Sequence, residues 1–215
     1  MTFTSVGVGG FSSDAGKTTL MCELLRALRP GWEAIKITRG HYRSCGKDPH
    51  ACCVSHLLSE EPVIRSGRAA TYAAGKDTGR YWDAGASNVH WLIVTDKQVE
   101  RGIKLALSRV ASAGVLIEGT SFAQFVEVDL MLMAARAGGG KIKPSARRAL
   151  RKTDALYLFD EGEDAQTARA RFAAWRDAEA FDENSTRAIP IYTREDLPQL
   201  VERVREIRRA SGVAA

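Results

Sequence analysis

The chain has 215 residues, of which 45% are hydrophobic and 27% charged, a composition typical of a soluble globule with one large domain. Its formal net charge of +5 suits an anionic ligand but is weak evidence for nucleic acid, because the basic residues are scattered among acidic neighbours. No apolar run approaches the roughly 20 residues of a membrane span, and residues 1–5 lack the basic segment of a signal peptide. We therefore expect a cytoplasmic protein with neither a membrane nor a nucleic-acid partner.

Short apolar runs alternate with amphipathic segments along the whole chain. The apolar runs predict strands at residues 3–8, 33–38, 89–95, 115–118, 129–133, 155–159 and 189–192. The amphipathic segments predict helices at residues 17–28, 79–86, 97–110, 145–151, 164–175 and 195–210. This alternation predicts an α/β fold with a mostly parallel sheet and helices on both faces. Ligands of such folds bind at the carboxyl ends of the strands.

A glycine-containing loop joins the first predicted strand to the first predicted helix. Its backbone N–H groups can turn inward around an anion, and the helix N-terminus that follows adds about half a positive charge. The strand–loop–helix context is that of the phosphate-binding loop of P-loop NTPases. The residues expected around the phosphates are Gly10, Ser12, Ser13, Asp14, Ala15, Gly16, Lys17, Thr18 and Thr19.

Two side chains of this loop carry the expected chemistry. Lys17 can reach the β- and γ-phosphates of a nucleoside triphosphate, and the Thr18 hydroxyl can bind Mg²⁺. The loop departs from the usual pattern, because five residues rather than four separate Gly10 from Gly16. The alternative is a chance Gly-Lys-Thr in a turn, but the flanking strand and helix favour a site for ATP or GTP.

Three further residues are candidates for the same site. Glu118 ends an apolar strand, where P-loop proteins commonly place an acid that holds Mg²⁺. Asp77, in a Gly-Lys-Asp turn, can approach Mg²⁺ or its waters. Lys36 closes the second strand and can hold a substrate carboxylate or the γ-phosphate. Each also has an ordinary alternative, as a solvated residue at a strand end or in a turn.

These pieces together resemble a known family. The segments Gly16-Lys17-Thr18-Thr19-Leu20, Lys36, Gly75-Lys76-Asp77-Thr78 with Ala84-Gly85-Ala86, and Ile117-Glu118-Gly119 are similar to the molybdopterin-guanine dinucleotide biosynthesis protein B family of P-loop NTPases. The five-residue gap and the pairing of Lys36 with Glu118 are similar to dethiobiotin synthetase. The resemblance implies that Thr18, Asp77 and Glu118 surround Mg²⁺, that Lys17 binds the phosphates, and that the protein forms a homodimer.

The chain departs from that family after its second strand, where roughly 25 extra residues intervene by that comparison. We describe the chain as one P-loop NTPase domain over residues 1–215, with an insertion at about 39–74. No guanine-reading Asn-Lys-x-Asp follows a strand, so ATP and GTP both remain open. The acceptor substrate, an unknown small molecule, is not defined by the resemblance.

The insertion is rich in cysteine and histidine. Clustered cysteines and histidines in a cytosolic protein suit Zn²⁺ or Ni²⁺, and the candidate ligands are Cys45, His50, Cys52 and Cys53, with His41 and His56 nearby. One alternative makes Cys52 and Cys53 small apolar residues of a helix, with the histidines on its surface. In another, Cys45 is a nucleophile whose pKa is lowered by neighbouring arginines.

The densest basic segment covers residues 141–152, after three consecutive glycines. It is either a solvated helix face, which we favour, or an anion-binding patch. Of the other residues with reactive side chains, Cys22 is expected in the core of the first helix, and His90 is expected to have a structural role in a strand.

The sequence therefore predicts Mg²⁺-dependent binding of a nucleoside triphosphate with hydrolysis or transfer. Lys17, Lys36 and Glu118 are the candidate catalytic residues of an accessory NTPase or ligase-like enzyme of cofactor biosynthesis. A metallochaperone NTPase is the first alternative, in which nucleotide controls a Cys/His metal site. A nucleotide-binding adaptor with little turnover is the second.

Overall fold

A mostly parallel β-sheet forms the centre of the molecule, for which a computed structural model describes residues 3–40, 54–160, 162–178 and 189–212. Within these ranges the sheet has eight strands in the order β3-β4-β2-β5-β1-β6-β7-β8. All neighbours pair in parallel except β3, which runs antiparallel to β4 at the edge. The strands are β1 Thr4–Gly10, β2 Trp32–Arg39, β3 Val63–Ser66, β4 Val89–Val94, β5 Gly114–Glu118, β6 Leu130–Arg136, β7 Ala155–Phe159 and β8 Ile191–Tyr192.

Helices cover both faces of the sheet. One face packs against the side chains of α4, α5 and α6, and the opposite face against those of α1, α3 and α7. The central strands are continuously buried, as expected for parallel strands covered on both sides. The helices are α1 Lys17–Leu28, α2 Arg68–Thr71, α3 Asp77–Asp83, α4 Val99–Leu107, α5 Pro144–Ala149, α6 Ala165–Ala178 and α7 Leu197–Ala210, with 3₁₀ turns at Ser55–Leu57, Asp96–Gln98, Ser121–Gln124 and Leu150–Lys152.

The predicted α/β class is confirmed, and the predicted strands and helices form at or near the expected bounds. The edge strand β3 was missed by the sequence analysis. Only two of its four residues are large and apolar, and its antiparallel pairing with β4 runs from Ser66–His90 to Val63–Ile93, between residues far apart in the chain and beyond any local signal. No helix in the described part of the chain is both long and apolar enough to cross a bilayer.

The topology places the glycine loop at the centre of the sheet's carboxyl edge. The loop follows β1, whose neighbours are β5 on one side and β6 on the other. The ends of β1, β5 and β2 lie side by side, because Val8 pairs with Glu118 and Glu118 pairs with Lys36. The sequence candidates from three strands therefore converge at one edge.

Candidate functional site

The glycine loop is folded around the side chain of Lys17. The Lys17 ammonium donates to the carbonyl oxygens of Ser12, at 3.1 Å, and Ser13, at 2.9 Å. The start of the loop is held by the Gly10 N–H, which donates to the Thr120 hydroxyl at 3.1 Å. Helix α1 begins directly at Lys17, so its N-terminus faces the concave side of the loop.

Position 16 requires glycine, because the turn leaves no room for a Cβ atom. Its φ of 83° lies in the left-handed region, and a Cβ atom built there would lie 2.2 Å from the Phe159 ring. A larger residue would therefore strain the backbone and collide with β7. The glycine of the Gly-Lys-Thr sequence is therefore required at the point where the loop meets the helix.

A cavity of about 500 Å³ opens at this edge of the sheet. Its lining includes every predicted phosphate-loop residue except Ala15, which is buried beneath the loop. The predicted residues from outside the loop, Lys36, Asp77 and Glu118, line the same cavity. Segments that are separated by up to about 100 residues in the chain thus form one site.

Two carboxylates and a hydroxyl meet beside the loop. The Thr18 hydroxyl donates to Glu118 Oε2 at 3.1 Å, and its proximity to Asp77 contributes to the lowered pKa of that carboxyl group. The Lys36 ammonium lies 2.6 Å from Asp77 Oδ2 and 2.5 Å from Glu118 Oε1. Glu118 is only 3% exposed, so Lys36 supplies the counter-charge of a buried acid.

The charges of this cluster shift one another's pKa values. Burial alone would raise the pKa of Asp77, but its hydrogen bond and ion pair with Lys36 hold that pKa below the usual range. Burial would likewise lower the pKa of Lys36, yet the charge of Glu118 and the bond to Asp77 outweigh it and raise the pKa. Lys36 therefore stays protonated where it contacts Asp77 and Glu118.

The pKa of Lys17 is shifted in the opposite direction. Burial lowers it, against the charge of Glu118, and the nearby ammonium groups of Lys36 and Lys143 add to the lowering. The ammonium groups of Lys17, Lys36 and Lys143 thus bring positive charge to the lining of the cavity.

Tyr81 is part of the acid cluster and was missed by the sequence analysis. Its hydroxyl donates to Glu118 Oε2, and its side chain is fully buried in α3. Glu118 Oε2 thus accepts from Thr18 and Tyr81, while Oε1 faces Lys36. The tyrosine fixes the carboxylate in one orientation.

Lys143 was also missed as a site residue. It leads into α5 from the basic segment, and its ammonium donates to the Ser13 hydroxyl at 2.6 Å. Its backbone N–H donates to the Phe11 carbonyl at 2.9 Å. The other basic residues of the segment are exposed to solvent: Lys141, Arg147, Arg148, Arg151 and Lys152.

The oxygen-bearing side chains of Thr18, Asp77 and Glu118 fit a Mg²⁺ ion. They are hard oxygen donors beside the phosphate loop: the Thr18 hydroxyl bonds Glu118, and the Lys36 ammonium lies 2.6 Å from Asp77 and 2.5 Å from Glu118. In this structure the Lys36 ammonium supplies the positive charge beside the two carboxylates. These are the residues that the sequence resemblance implies around Mg²⁺, and their role as metal ligands stays a prediction.

The Cys/His candidates Cys45, His50, Cys52 and Cys53 lie outside the described residues, as does His41. Among the residues that the structure describes, no three His, Cys, Asp or Glu side chains lie close enough together to hold a metal ion. His56 is exposed in a 3₁₀ turn.

The two residues expected to be structural are buried. Cys22 is 2% exposed in α1, and burial raises the pKa of its thiol. His90 Nε2 lies 2.6 Å from Glu33 Oε2, and its Nδ1 lies 2.7 Å from the Ser66 hydroxyl. This network is at the amino edge of the sheet, opposite the cavity.

A central strand, a glycine loop around a lysine and a following helix, set in a mostly parallel sheet, define the fold of the P-loop NTPases. Among solved structures, the chain is similar to HypB from Helicobacter pylori, crystallised in complex with nickel, with a TM-score of 0.56 and 10% identity over 97% of this chain and 88% of that one. It is also similar to the hydrogenase maturation factor HypB from Archaeoglobus fulgidus, with a TM-score of 0.54 and 13% identity over 96% and 91% of the two chains.

A third similar structure is LpxK from Aquifex aeolicus in complex with ATP, with a TM-score of 0.49 and 16% identity over 90% of this chain and 54% of that one. No protein-family model matches the sequence, and no curated protein matches it. At 10% and 13% identity, the similarity to the two HypB structures establishes the fold alone.

Proposed function

We propose that the protein binds ATP or GTP with Mg²⁺ and hydrolyses the nucleotide or transfers its terminal phosphoryl group. One observation carries the proposal: the lysine-centred loop and the oxygen cluster of Thr18, Asp77 and Glu118 line the same cavity. A polyphosphate in the loop would have its terminal group directed toward that cluster. The finer role, an accessory or ligase-like enzyme of cofactor biosynthesis, rests on the sequence resemblance.

The proposed catalysis is positioning and charge neutralisation rather than covalent chemistry. The loop N–H groups, the N-terminus of α1 and Lys17 bind the phosphates, and Lys143 adds a second ammonium through its place beside Ser13. Bound Mg²⁺ would neutralise phosphate charge, held by Thr18, Asp77 and Glu118. In hydrolysis, a water oxygen would bond to the γ-phosphorus while the bond from that phosphorus to the bridging β-phosphate oxygen breaks. The nucleoside diphosphate would leave with the bond's electron pair, the γ-group would become inorganic phosphate, and the water's proton would pass to solvent.

Lys36 has a separate proposed role in this chemistry. Its ammonium contacts the carboxylates of Asp77 and Glu118, in the cavity that the phosphate loop also lines. A phosphoryl group near Asp77 and Glu118 would offer this ammonium a new anionic partner. Lys36 would then help neutralise the charge that develops on the transferred group.

Titration calorimetry with ATP and GTP, with and without Mg²⁺, tests the nucleotide proposal. We expect at least one nucleotide to bind, and single-turnover hydrolysis to be weakened more than binding in Asp77→Asn and Glu118→Gln. Asp48→Asn is the matched control, because Asp48 lies in the chain's other Gly-Lys-Asp sequence. Absence of nucleotide binding would reject the proposal, and binding without turnover would favour the adaptor alternative.

A metal-carrying NTPase is the second candidate function. The sequence observation that favours it is the set of Cys45, His50, Cys52 and Cys53 in the segment that follows β2, the strand that bears Lys36. The similarity to HypB, one structure of which contains nickel, agrees with this candidate at the level of fold only. Zn²⁺ and Ni²⁺ affinities of wild type and Cys52→Ser/Cys53→Ser, with and without a non-hydrolysable triphosphate, test it. No metal binding tighter than micromolar would reject it.

The homodimer implied by the sequence resemblance is likewise a proposal. Sedimentation of the protein with and without nucleotide tests it. A monomer under both conditions would reject it.

A further inference from the structure

Two serines line the cavity with hydroxyl groups that bond to no other described residue. Ser121, in the 3₁₀ turn after β5, is 7% exposed, and Ser145, in the first turn of α5, is 9% exposed. Neither hydroxyl oxygen is fully enclosed by protein, so each is open to the cavity that its residue lines. Nearly buried polar groups usually have a hydrogen-bond partner. The two hydroxyls are therefore candidates to bind a ligand.

Lys143 lines the cavity beside them without an acid partner. Its ammonium donates to the Ser13 hydroxyl at 2.6 Å, and no carboxylate of the described ranges lies within 4 Å of it. Burial is the main cause of the lowered pKa of Lys17, and the charge of Lys143 adds to it. An anion bound near both ammonium groups would relieve their repulsion.

The backbone of the glycine loop brings these residues to one place. The Gly10 N–H donates to the Thr120 hydroxyl at 3.1 Å, and the carbonyl of the next residue, Phe11, accepts from the Lys143 N–H at 2.9 Å. The 3₁₀ turn that follows Thr120 and the helix that follows Lys143 are therefore attached to neighbouring points of the loop. Helix α5 also packs directly against the turn, Ser121–Gln124. The two serines and the lysine are thus neighbours.

This group lies on the wall of the cavity opposite the acid cluster. Along β5, Ile117 packs on the face covered by α4, α5 and α6, and Leu116 packs on the other face. Because strand side chains alternate, Glu118 is directed to the same face as Leu116. Phe122 and Ala146, the residues next to the two serines, belong to the core on the α4, α5 and α6 face. The serines and the acids therefore approach the cavity from different sides of the sheet.

We propose that Ser121, Ser145 and Lys143 form a subsite for a phosphate group, opposite the proposed metal ligands. Hydroxyl and ammonium groups both donate hydrogen bonds, and such bonds are strong where the acceptor is an ionised oxygen. Donors from two separate segments suit a group with oxygens on several sides. The subsite rests on the proposed function, because its phosphate is either the terminal phosphoryl group of the nucleotide or the phosphate of a phosphorylated acceptor.

The test uses inorganic phosphate as the probe, titrated by calorimetry into protein saturated with Mg²⁺ and a nucleoside diphosphate. The diphosphate keeps the probe out of the part of the loop that binds the first two phosphates. A second titration replaces the diphosphate with a non-hydrolysable triphosphate. If the triphosphate blocks the probe, the subsite holds the terminal phosphoryl group of the nucleotide, and if the probe still binds, the subsite serves a phosphorylated acceptor.

A third titration uses Lys17→Ala without nucleotide, which measures the subsite even if the nucleotide proposal fails. We expect Ser121→Ala, Ser145→Ala and Lys143→Met each to weaken phosphate binding by about tenfold, because each loses a hydrogen bond to an ionised oxygen. Lys141→Met is the matched control for the lysine, since Lys141 is exposed and does not line the cavity. It should bind phosphate like wild type.

Ser5→Ala is the matched control for the serines. Ser5 is 3% exposed, lies outside the cavity and donates from its hydroxyl to Asp129 at 2.8 Å. Its loss should lower the urea midpoint and leave phosphate binding unchanged, because a structural bond is lost. Ser121→Ala and Ser145→Ala should show the reverse, since within the described part of the chain their hydroxyls have no bond to lose.

Two results would overturn the subsite: no phosphate binding in any of the three titrations, or equal binding by wild type and all three variants. A fall in the urea midpoint of the serine variants as large as that of Ser5→Ala would also contradict it, because the hydroxyls would then stabilise the fold. Nucleotide binding without phosphate binding would reject the subsite alone. Serine-dependent phosphate binding to Lys17→Ala, with no nucleotide bound by wild type, would reject the proposed function and leave the subsite supported.

Discussion

The Lys36 ammonium lies 2.5 Å from the carboxylate of Glu118, its direct neighbour in the register of β2 and β5. The same ammonium lies 2.6 Å from Asp77, so one cation neutralises both acids that are proposed to hold Mg²⁺. Mg²⁺ and Lys36 are therefore competitors for the same negative charge as long as no phosphate is bound.

This competition predicts that removing the lysine strengthens metal binding in the nucleotide-free protein. In Lys36→Met, two partly buried carboxylates lose their counter-ion, and we expect Mg²⁺ to bind about tenfold more tightly than in wild type. Calorimetric titration of Mg²⁺ into nucleotide-free protein measures this. Thermal unfolding gives an independent measure, because Mg²⁺ should stabilise the variant more than the wild type.

Lys143→Met is the control for this prediction, since Lys143 also lines the cavity but bonds Ser13 rather than an acid. We expect its Mg²⁺ affinity to equal that of wild type. Weaker Mg²⁺ binding in Lys36→Met would show that Lys36 supports the metal site instead of competing with it.

A second prediction concerns the lysine inside the loop. Lys17 bonds only to backbone carbonyls of its own loop among the described residues, so its loss leaves no buried acid unpaired. Lys17→Ala should cost roughly 2–5 kcal/mol of nucleotide binding free energy, as for other desolvated charge pairs. Calorimetry with ATP and GTP measures the loss.

Lys76→Ala serves as the matched control, because Lys76 is an exposed lysine beside Asp77 that does not line the cavity. It should bind nucleotide like wild type. Equal nucleotide affinity in the Lys17 and Lys76 variants would contradict the assignment of Lys17 to the phosphates.

The sequence was sufficient for the part of the site that depends on local structure. The glycine loop, Thr18 and the strand-end residues Lys36 and Glu118 follow from short motifs beside recognisable strands, and all of them line the cavity. The parallel sheet followed from the same alternation of strands and helices. What those residues do chemically remains a prediction.

The missed contacts depend on packing between distant segments. Tyr81 reaches Glu118 across 37 positions, and Lys143 reaches Ser13 across 130. Tyr81 looks like an ordinary core aromatic in sequence, and Lys143 like one more charge in a solvated basic segment. Neither has a spacing that relates it to the loop, because the sheet order alone brings these elements together.

Tyr81 provides a third prediction, with a matched tyrosine as its control. Tyr81→Phe frees Glu118 from one hydrogen bond, so we expect Mg²⁺-dependent hydrolysis to fall while nucleotide affinity stays close to wild type. Tyr157 is also buried and donates to a carboxylate, that of Glu23 at 3.1 Å, away from the cavity.

Tyr157→Phe should therefore cost a similar amount of stability, about 1 kcal/mol for one hydrogen bond, without a change in hydrolysis. Urea unfolding and single-turnover hydrolysis of both variants separate the two effects. If both variants lose hydrolysis equally, the loss follows from stability, and Tyr81 does not position Glu118.

The last prediction concerns acid stability and the buried network around Glu33. Glu33 is 1% exposed, its Oε2 bonds His90, and its Oε1 accepts the N–H groups of Ala111 and Ser112 at 2.9 and 2.8 Å. Burial alone would raise the pKa of Glu33, but these bonds from His90 and the two N–H groups hold it below its usual range.

A carboxyl group with a lowered pKa stabilises the folded state fully above its unfolded pKa, and that contribution is lost as the pH falls through its folded pKa. The free energy of unfolding of wild type, measured with urea, should therefore decline below about pH 4.5, the ordinary pKa of glutamate. Glu33→Gln should be less stable by about 1–3 kcal/mol at neutral pH, because a buried acceptor of three hydrogen bonds is replaced. The free energy of unfolding of this variant should also decline less steeply as the pH falls.

Glu100→Gln, which changes an exposed glutamate paired with Lys104, is the control, and its free energy of unfolding should follow the wild-type pH curve. An acid decline in Glu33→Gln as steep as that of wild type would assign the acid sensitivity to other carboxylates, such as Asp77.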